Sequence, residues 1–268
     1  MPKNGIDVSE FQTINDFKKL REDFDFIMIR AGFGFCTIDS QFFHNINGCT
    51  ENNIPYGCYW FSYACTVDDA KKEAEFFCDL LDKYCKVSLP VYIDWEYDSE
   101  RYAKQHGFTI TGEALRKIVI AFLNVCNDRG YDAGIYTNPD FISRYFYSAE
   151  WCRNIGSLWL ASWDISEPVT CDIWQYTVLK NANLQYPYIS CSGLDMDKAY
   201  IKIPDMVPEP DTIDVCLDDV LTEYDDICHG IMEGKYGSGS ERKEKLGKYY
   251  DVAQTIINQA YARKEGKF

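Results

Sequence analysis

The chain has 268 residues, 46% of them hydrophobic and 16% aromatic, and a formal net charge of -15 at pH 7; that length supports one large domain, or one of about 200 residues with a small companion. The charge argues against a nucleic-acid partner, whose phosphates need a Lys/Arg surface, and against docking on an anionic membrane. The opening MPKNGIDVSE has no apolar signal-peptide core and no run approaches the roughly 18 apolar residues of a membrane span, so the expectation is a chain made in the cytoplasm without a signal peptide.

Short apolar runs rich in β-branched and aromatic residues alternate with helical spacing from the start of the chain. Strands are predicted at 6–8, 26–31, 57–62, 90–96 and 133–137. Helices are predicted between them at 14–22, 40–52, 67–84 and 111–129, with a shorter one at 139–146. The fourth of these carries Leu115, Ile118, Phe122 and Val125 at helical spacing and stops at Gly130. From about residue 155 the pattern changes to strands at 157–162, 172–177 and 192–199 with no long helix between them. Repeated β/α units imply a parallel sheet, and this length favours its closure. The predicted fold class is α/β: an irregular β/α barrel over residues 1–204, with about five β/α units and then three strands. The Pro- and acid-rich stretch IPDMVPEPDTI marks a linker over 205–214. Helices at 215–232, 240–247 and 249–263, around a Gly/Ser loop, make 215–268 a small three-helix C-terminal domain. The 12 cysteines include no C-x-x-C pair and read as reduced, mostly buried thiols, and the three histidines lack ligand spacing. No metal and no cofactor are expected.

The most informative run is VYIDWEYD, residues 91–98, in which an apolar strand ends in alternating carboxylates. Residues i and i+2 of a strand face the same way with Cα atoms about 6.5 Å apart. Asp94 and Glu96 therefore point together, and Trp95 points to the other face. Strand C-termini carry the active site of a β/α barrel. Paired carboxyls there suit glycosidic hydrolysis, one giving a proton to the leaving oxygen while the other stabilises or attacks the anomeric centre. Asp7 in GIDVS and Asp195 in GLDMD occupy similar strand-end places. Closure makes the first and last strands neighbours, which puts Asp7 and Asp195 across the mouth from Asp94 and Glu96. Tyr59, Phe61, Tyr63, Tyr136, Trp159 and Trp174 lie at or near strand ends and are the candidate sugar-stacking residues, with Tyr59, Tyr136 and Trp174 foremost.

GIDVSEFQ, FIMIRAGFG, IPYGCYWFSYA, VYIDWEYD, GIYTN, LWLASW, IWQYT and GLDMD occur in an order that resembles glycoside hydrolase family 25, the Chalaropsis-type lysozymes, over about residues 4–204. The departure from that pattern is the short loop after Ala31, GFGFCTIDS. The resemblance implies cleavage of the β-1,4 bond between N-acetylmuramic acid and N-acetylglucosamine of bacterial peptidoglycan, with retention, in a phage endolysin or autolysin acting on the wall after release. It implies Glu96 as general acid/base and Asp94 as nucleophile or as stabiliser of a substrate-derived oxazolinium, with Asp7 and Asp195 as supporting acids. Residues 215–262, with GKYGSGSERKEKL, are similar to a three-helix wall-binding repeat in which Gly237, Gly239 and Arg242 are the implied contacts. The alternatives are a chitinase-like glycosidase and a catalytically silent wall binder. Oligomeric state is not legible.

Overall fold

The computed structural model describes residues 1–163, 170–205 and 235–247. The chain divides into two compact units, Met1–Asp214 and Val215–Phe268.

In the first unit, β1 (Lys3–Val8) leads through the two-residue β2 (Thr13–Ile14) into α1 (Phe17–Asp23). Asp16 starts this helix by accepting the backbone N–H groups of Lys18 at 3.0 Å and Lys19 at 3.1 Å, which satisfies donors that no helical carbonyl reaches. Next come β3 (Phe26–Phe33), β4 (Thr37–Ile38), α2 (Phe42–Glu51) and β5 (Tyr56–Phe61). A reciprocal Thr66–Asp69 capping box opens α3 (Val67–Tyr84). Strand β6 (Val91–Asp94) runs into α4 (Tyr97–Gln105) and α5 (Gly112–Asp128), and β7 (Ala133–Thr137) into α6 (Pro139–Tyr145) and α7 (Ala149–Ile155). Then follow β8 (Ser157–Ala161), β9 (Ile173–Lys180), the short β10 (Ile189–Ser190) paired back to β2, and β11 (Gly193–Ala199).

The strands join in the order β1-β11-β9-β8-β7-β6-β5-β3, and β3 pairs with β1 to close an eight-stranded barrel. Five β/α units and three closing strands match the sequence expectation. The expected parallel sheet needs one correction, because β11 runs antiparallel to both of its neighbours. A parallel neighbour needs a long crossover, and the segment between β9 and β11 holds only a 3-10 turn (Ala182–Leu184) and β10.

Alternation along the strands sorts the side chains. Phe26, Met28, Tyr59, Tyr92, Trp159 and Ile173 pack inside the barrel. Trp60 faces the other way onto Phe76 and Phe77 of α3, and Phe77 meets Phe122 of α5. At Gly5 a Cβ would lie 2.4 Å from the Phe26 ring, so bare backbone there lets the ring fill the interior. Cys49, Cys58, Cys78, Cys85, Cys126 and Cys152 are buried thiols among these layers.

Three local differences from the sequence expectation have simple causes. Helix α1 begins at Phe17 because Thr13 and Ile14 are used in pairing with β10. Strand β6 stops at Asp94, and α4 begins three residues later. Helix α4 buries only Ser99 and Ala103, so YDSERYAKQ carries no apolar stripe for periodicity to detect.

In the second unit, α8 (Gly239–Leu246) occupies the predicted helix at 240–247. Gly237 precedes it with φ +69, a left-handed conformation that glycine tolerates. The guanidinium of Arg242 donates to the Gly237 carbonyl from Nε at 2.9 Å and Nη2 at 2.6 Å, holding this loop against the helix. The predicted linker at 205–214, apart from Asp205, and the helices at 215–232 and 249–263 lie outside the described residues.

Candidate active site

Seven of the barrel strands end at one mouth, and the reversed β11 begins there. Reversal thus puts the start of β11, not its end, beside the end of β1: Asp7 and Asp195 are Cα partners in the β1–β11 ladder. Across the mouth, Asp94 is the last residue of β6, in register with Phe61 of β5 and Tyr136 of β7. Glu96 lies two residues on, outside the strand and at the N-cap of α4. Its backbone is still extended, with φ -141, and its N–H donates to Ser99 Oγ at 3.1 Å. The i, i+2 relation therefore survives the early end of the strand. All four acids line one cleft of about 480 Å³. A larger hollow of about 710 Å³ opens among the starts of β6, β7 and β8, lined by Asp82, Asp132, Arg153 and Asp172, and none of the four acids reaches it.

Burial and mutual repulsion hold these carboxyls in their protonated forms longer than usual. Glu96 is pushed up to about 7, first by burial and then by the charges of Asp98 and Asp195. Asp94 is pushed well up by burial and by Glu96, against the pull of the Arg30 guanidinium. Its Oδ1 is buried without a hydrogen-bond partner, which is the state in which a carboxylate charge is hardest to sustain. Burial raises Asp195 to about 6. Asp7 is raised by burial and by Asp195 and Asp197.

Tyr59, Phe61, Tyr63, Tyr136 and Trp159 all line the cleft. Trp174 does not. It is buried on the outer face of β9, where its Nε1–H donates to the Ser162 carbonyl at 2.8 Å and its ring packs on Tyr176 and Lys198. Alternation gives the physical reason: in Trp174-Gln175-Tyr176 the middle residue faces inward, and Gln175 lines the cleft instead. Its Nε2 donates to Asp7 Oδ2 at 2.9 Å, and its Oε1 accepts from Tyr136 Oη at 3.2 Å and Trp163 Nε1 at 3.3 Å. The exposed Trp163 supplies the aromatic surface that was expected of Trp174.

Arg30 was also missed, although alternation from Phe26 and Met28 points it inward. It is the one Lys or Arg among the described residues lining the cleft. Its Nε donates to Asp39 Oδ2 and its Nη2 to Glu10 Oε1, both at 2.7 Å, and the guanidinium lies over Phe11 and Phe33, 5.4 and 5.2 Å from their ring centres. The sequence signal for Asp197 was its i+2 spacing from Asp195. It lies beneath the cleft, fully buried, accepting from Trp159 Nε1 at 2.8 Å.

The family pattern described as glycosyl hydrolases family 25 matches residues 6–183, and the pattern described as CW_7 repeat matches residues 225–260. No curated protein matches the chain. Among solved structures, the modular autolysin LytC from Streptococcus pneumoniae is similar with a TM-score of 0.61 and 24% identity, over 74% of this chain and 47% of that one. It has also been solved with a synthetic peptidoglycan ligand. The bacterial lysozyme from Streptomyces coelicolor gives 0.60 and 20% over 75% of this chain and 94% of that one. The family 25 lysozyme from Aspergillus fumigatus gives 0.56 and 23% over 75% and 95%. At these identities the structures speak for the shared fold, and the chain spans about half the length of the pneumococcal autolysin. With the family match covering most of the barrel and four acids gathered at its mouth, this chain belongs to the glycosyl hydrolases of family 25 and carries a CW_7 repeat near its C-terminus.

Proposed function

We propose that the chain is a muramidase that cuts the β-1,4 bond between N-acetylmuramic acid and N-acetylglucosamine in bacterial peptidoglycan. The observation that carries this reading is Glu96, a carboxyl held protonated up to about pH 7 at the mouth of the barrel beside a second carboxyl, Asp94. Glu96 protonates the glycosidic oxygen as the bond to the anomeric carbon breaks. Asp94 in its ionised form either attacks that carbon or stabilises the oxazolinium closed by the substrate's own acetamido group. The Arg30 guanidinium favours that ionised form. The Glu96 carboxylate then takes a proton from water, whose oxygen adds to the anomeric carbon with net retention. Asp195 raises the proton affinity of Glu96, and Asp7 and Gln175 form the far wall. Tyr59, Phe61, Tyr63, Tyr136, Trp159 and Trp163 offer ring faces or edges to the sugars. In the second unit, the CW_7 repeat is the proposed wall-binding part, with the Gly237–Gly239 loop as its contact and Arg242 shaping that loop.

Digestion of purified peptidoglycan followed by borohydride reduction and mass spectrometry tests the reading. Muropeptides with reduced muramic acid ends are expected. Reduced glucosamine ends would indicate the other glycosidic bond, and cleavage of chitin without cleavage of peptidoglycan would indicate a chitinase-like enzyme. Sedimentation with walls and no soluble fragments would leave a silent binder.

A further inference from the structure

Beneath the cleft, β11 carries a second inward acid. Asp197 is 0% exposed and lies opposite Gly5 in the β1–β11 ladder, as Asp195 lies opposite Asp7. Its Oδ1 accepts the Trp159 Nε1–H at 2.8 Å. Its Oδ2 receives no N–H or hydroxyl donor from the described residues, and the carboxyl of Asp7 stands within hydrogen-bonding reach. Asp7 is itself 6% exposed and has Gln175 Nε2 on its Oδ2 at 2.9 Å. Two buried carboxyls in contact bond to each other only if one of them keeps a proton. The other groups facing the pair do not change this. Asp195 on β11 adds a like charge, Tyr59, Tyr92 and Tyr136, on β5, β6 and β7, are neutral phenols, and Tyr176, on the outer face of β9, is another. No Lys, Arg or His among the described residues pairs with either carboxyl.

We infer that Asp197 is a positioning residue: it accepts a hydrogen bond from Asp7 and so keeps Asp7 in the cleft wall as a neutral, fixed carboxylic acid, with the charge of the pair held one layer below the sugars. The direction of the titrations agrees. Asp7 is pushed well up by burial, Asp195 and Asp197, whereas the Trp159 and Asp7 hydrogen bonds restrain Asp197, which burial raises to about 7. The consequence for catalysis rests on the muramidase reading, but the shared proton does not.

Asp197→Asn separates positioning from a merely structural role. The asparagine is isosteric, its Oδ1 still accepts from Trp159, and its amide N–H now donates to Asp7. The net charge of the pair is unchanged, but the charge moves up onto Asp7. Carboxyl 13C titration of aspartate-labelled protein, with the Asp94 resonance assigned from Asp94→Asn and set aside, is expected to show one further buried aspartate still protonated at pH 7 in the wild type and absent from Asp197→Asn. Asp7→Asn, whose amide donates to Asp197, is expected to remove the same signal. In Asp197→Asn the alkaline limb of peptidoglycan solubilisation should also move up by about half a pH unit, because a negative charge now lies nearer Glu96. Persistence of the high-pH carboxyl signal in either folded variant, or an unmoved pH profile in Asp197→Asn, would overturn the assignment. Loss of the signal from a protein that releases no muramic acid ends would leave the shared proton standing and remove the muramidase reading alone.

Discussion

Replacing Glu96 by Gln should abolish lysis and at the same time make the protein more stable. The side chain keeps its length, and the backbone N–H bond from residue 96 to Ser99 Oγ, which opens α4, is untouched. What is lost is the proton donor; general acid catalysis contributes about 10²–10⁴-fold, so clearance of a wall suspension should fall by at least two orders of magnitude. Stability moves the other way. In the folded chain Glu96 is raised from an ordinary value of 4.5 to about 7. The folded state therefore binds the proton more tightly than the unfolded chain does, and it loses stability as pH climbs from about 4.5 to 7. The full penalty is on the order of 3 kcal/mol. Asp94 shares it, since the two carboxyls repel each other, and the partial exposure of Glu96 reduces it further, so about 1–2 kcal/mol is expected for Glu96→Gln at pH 8. Urea unfolding at pH 8 and pH 4 measures the difference: the variant should gain at pH 8 and match the wild type at pH 4. A stable variant with wild-type clearance would refute the proton-donor role. A variant equally destabilised at both pH values would refute the charge-crowding argument.

Four further outcomes are expected. Activity should follow a bell-shaped pH profile whose alkaline limb lies near 7, where Glu96 loses its proton; a rate that keeps rising to pH 9 would contradict this. Trp174→Ala should lower stability by about 3 kcal/mol or more by emptying a buried outer layer, and leave KM nearly unchanged. Trp163→Ala should do the reverse and raise KM roughly fivefold through lost stacking of about 1 kcal/mol. Arg30→Met leaves Asp39, 0% exposed at its side chain, without its ion-pair partner, and should destabilise the fold by about 3–5 kcal/mol; a variant with unchanged urea midpoint would show that Asp39 is solvated by other means.

The barrel was legible because each of its first five units combines a β-branched or aromatic run with an amphipathic helix. Helices α4 and α7 were not, because each buries too little: Ser99 and Ala103 in one, Cys152 in the other. The reversal of β11 was also hidden. A strand reads the same in either direction, and only the length of the connection before it distinguishes the two. Asp195 sits at the mouth, as closure of the barrel predicts, but through the opposite strand direction. It reaches the mouth because β11 starts there, and a parallel β11 with the same sequence would have buried it at the far end.

Period-2 alternation brings Tyr59, Phe61 and Tyr63 into the cleft together, and it holds equally along β3 and β9. Carried through, it selects Arg30 and Gln175 and rejects Trp174. Those two selected residues explain how a mouth with so many acids stays folded. Arg30 draws Asp94 toward its ionised form while fixed by Asp39 and Glu10, and Gln175 ties Asp7 to Tyr136 and Trp163 across three strands and a loop. The acids are held by neutral donors and one guanidinium, and burial, with the repulsion left over, keeps a proton on Glu96. A site neutralised by added lysines would be more stable and would lose its acid, so the instability of this mouth above pH 7 and the activity proposed for it below have the same electrostatic origin.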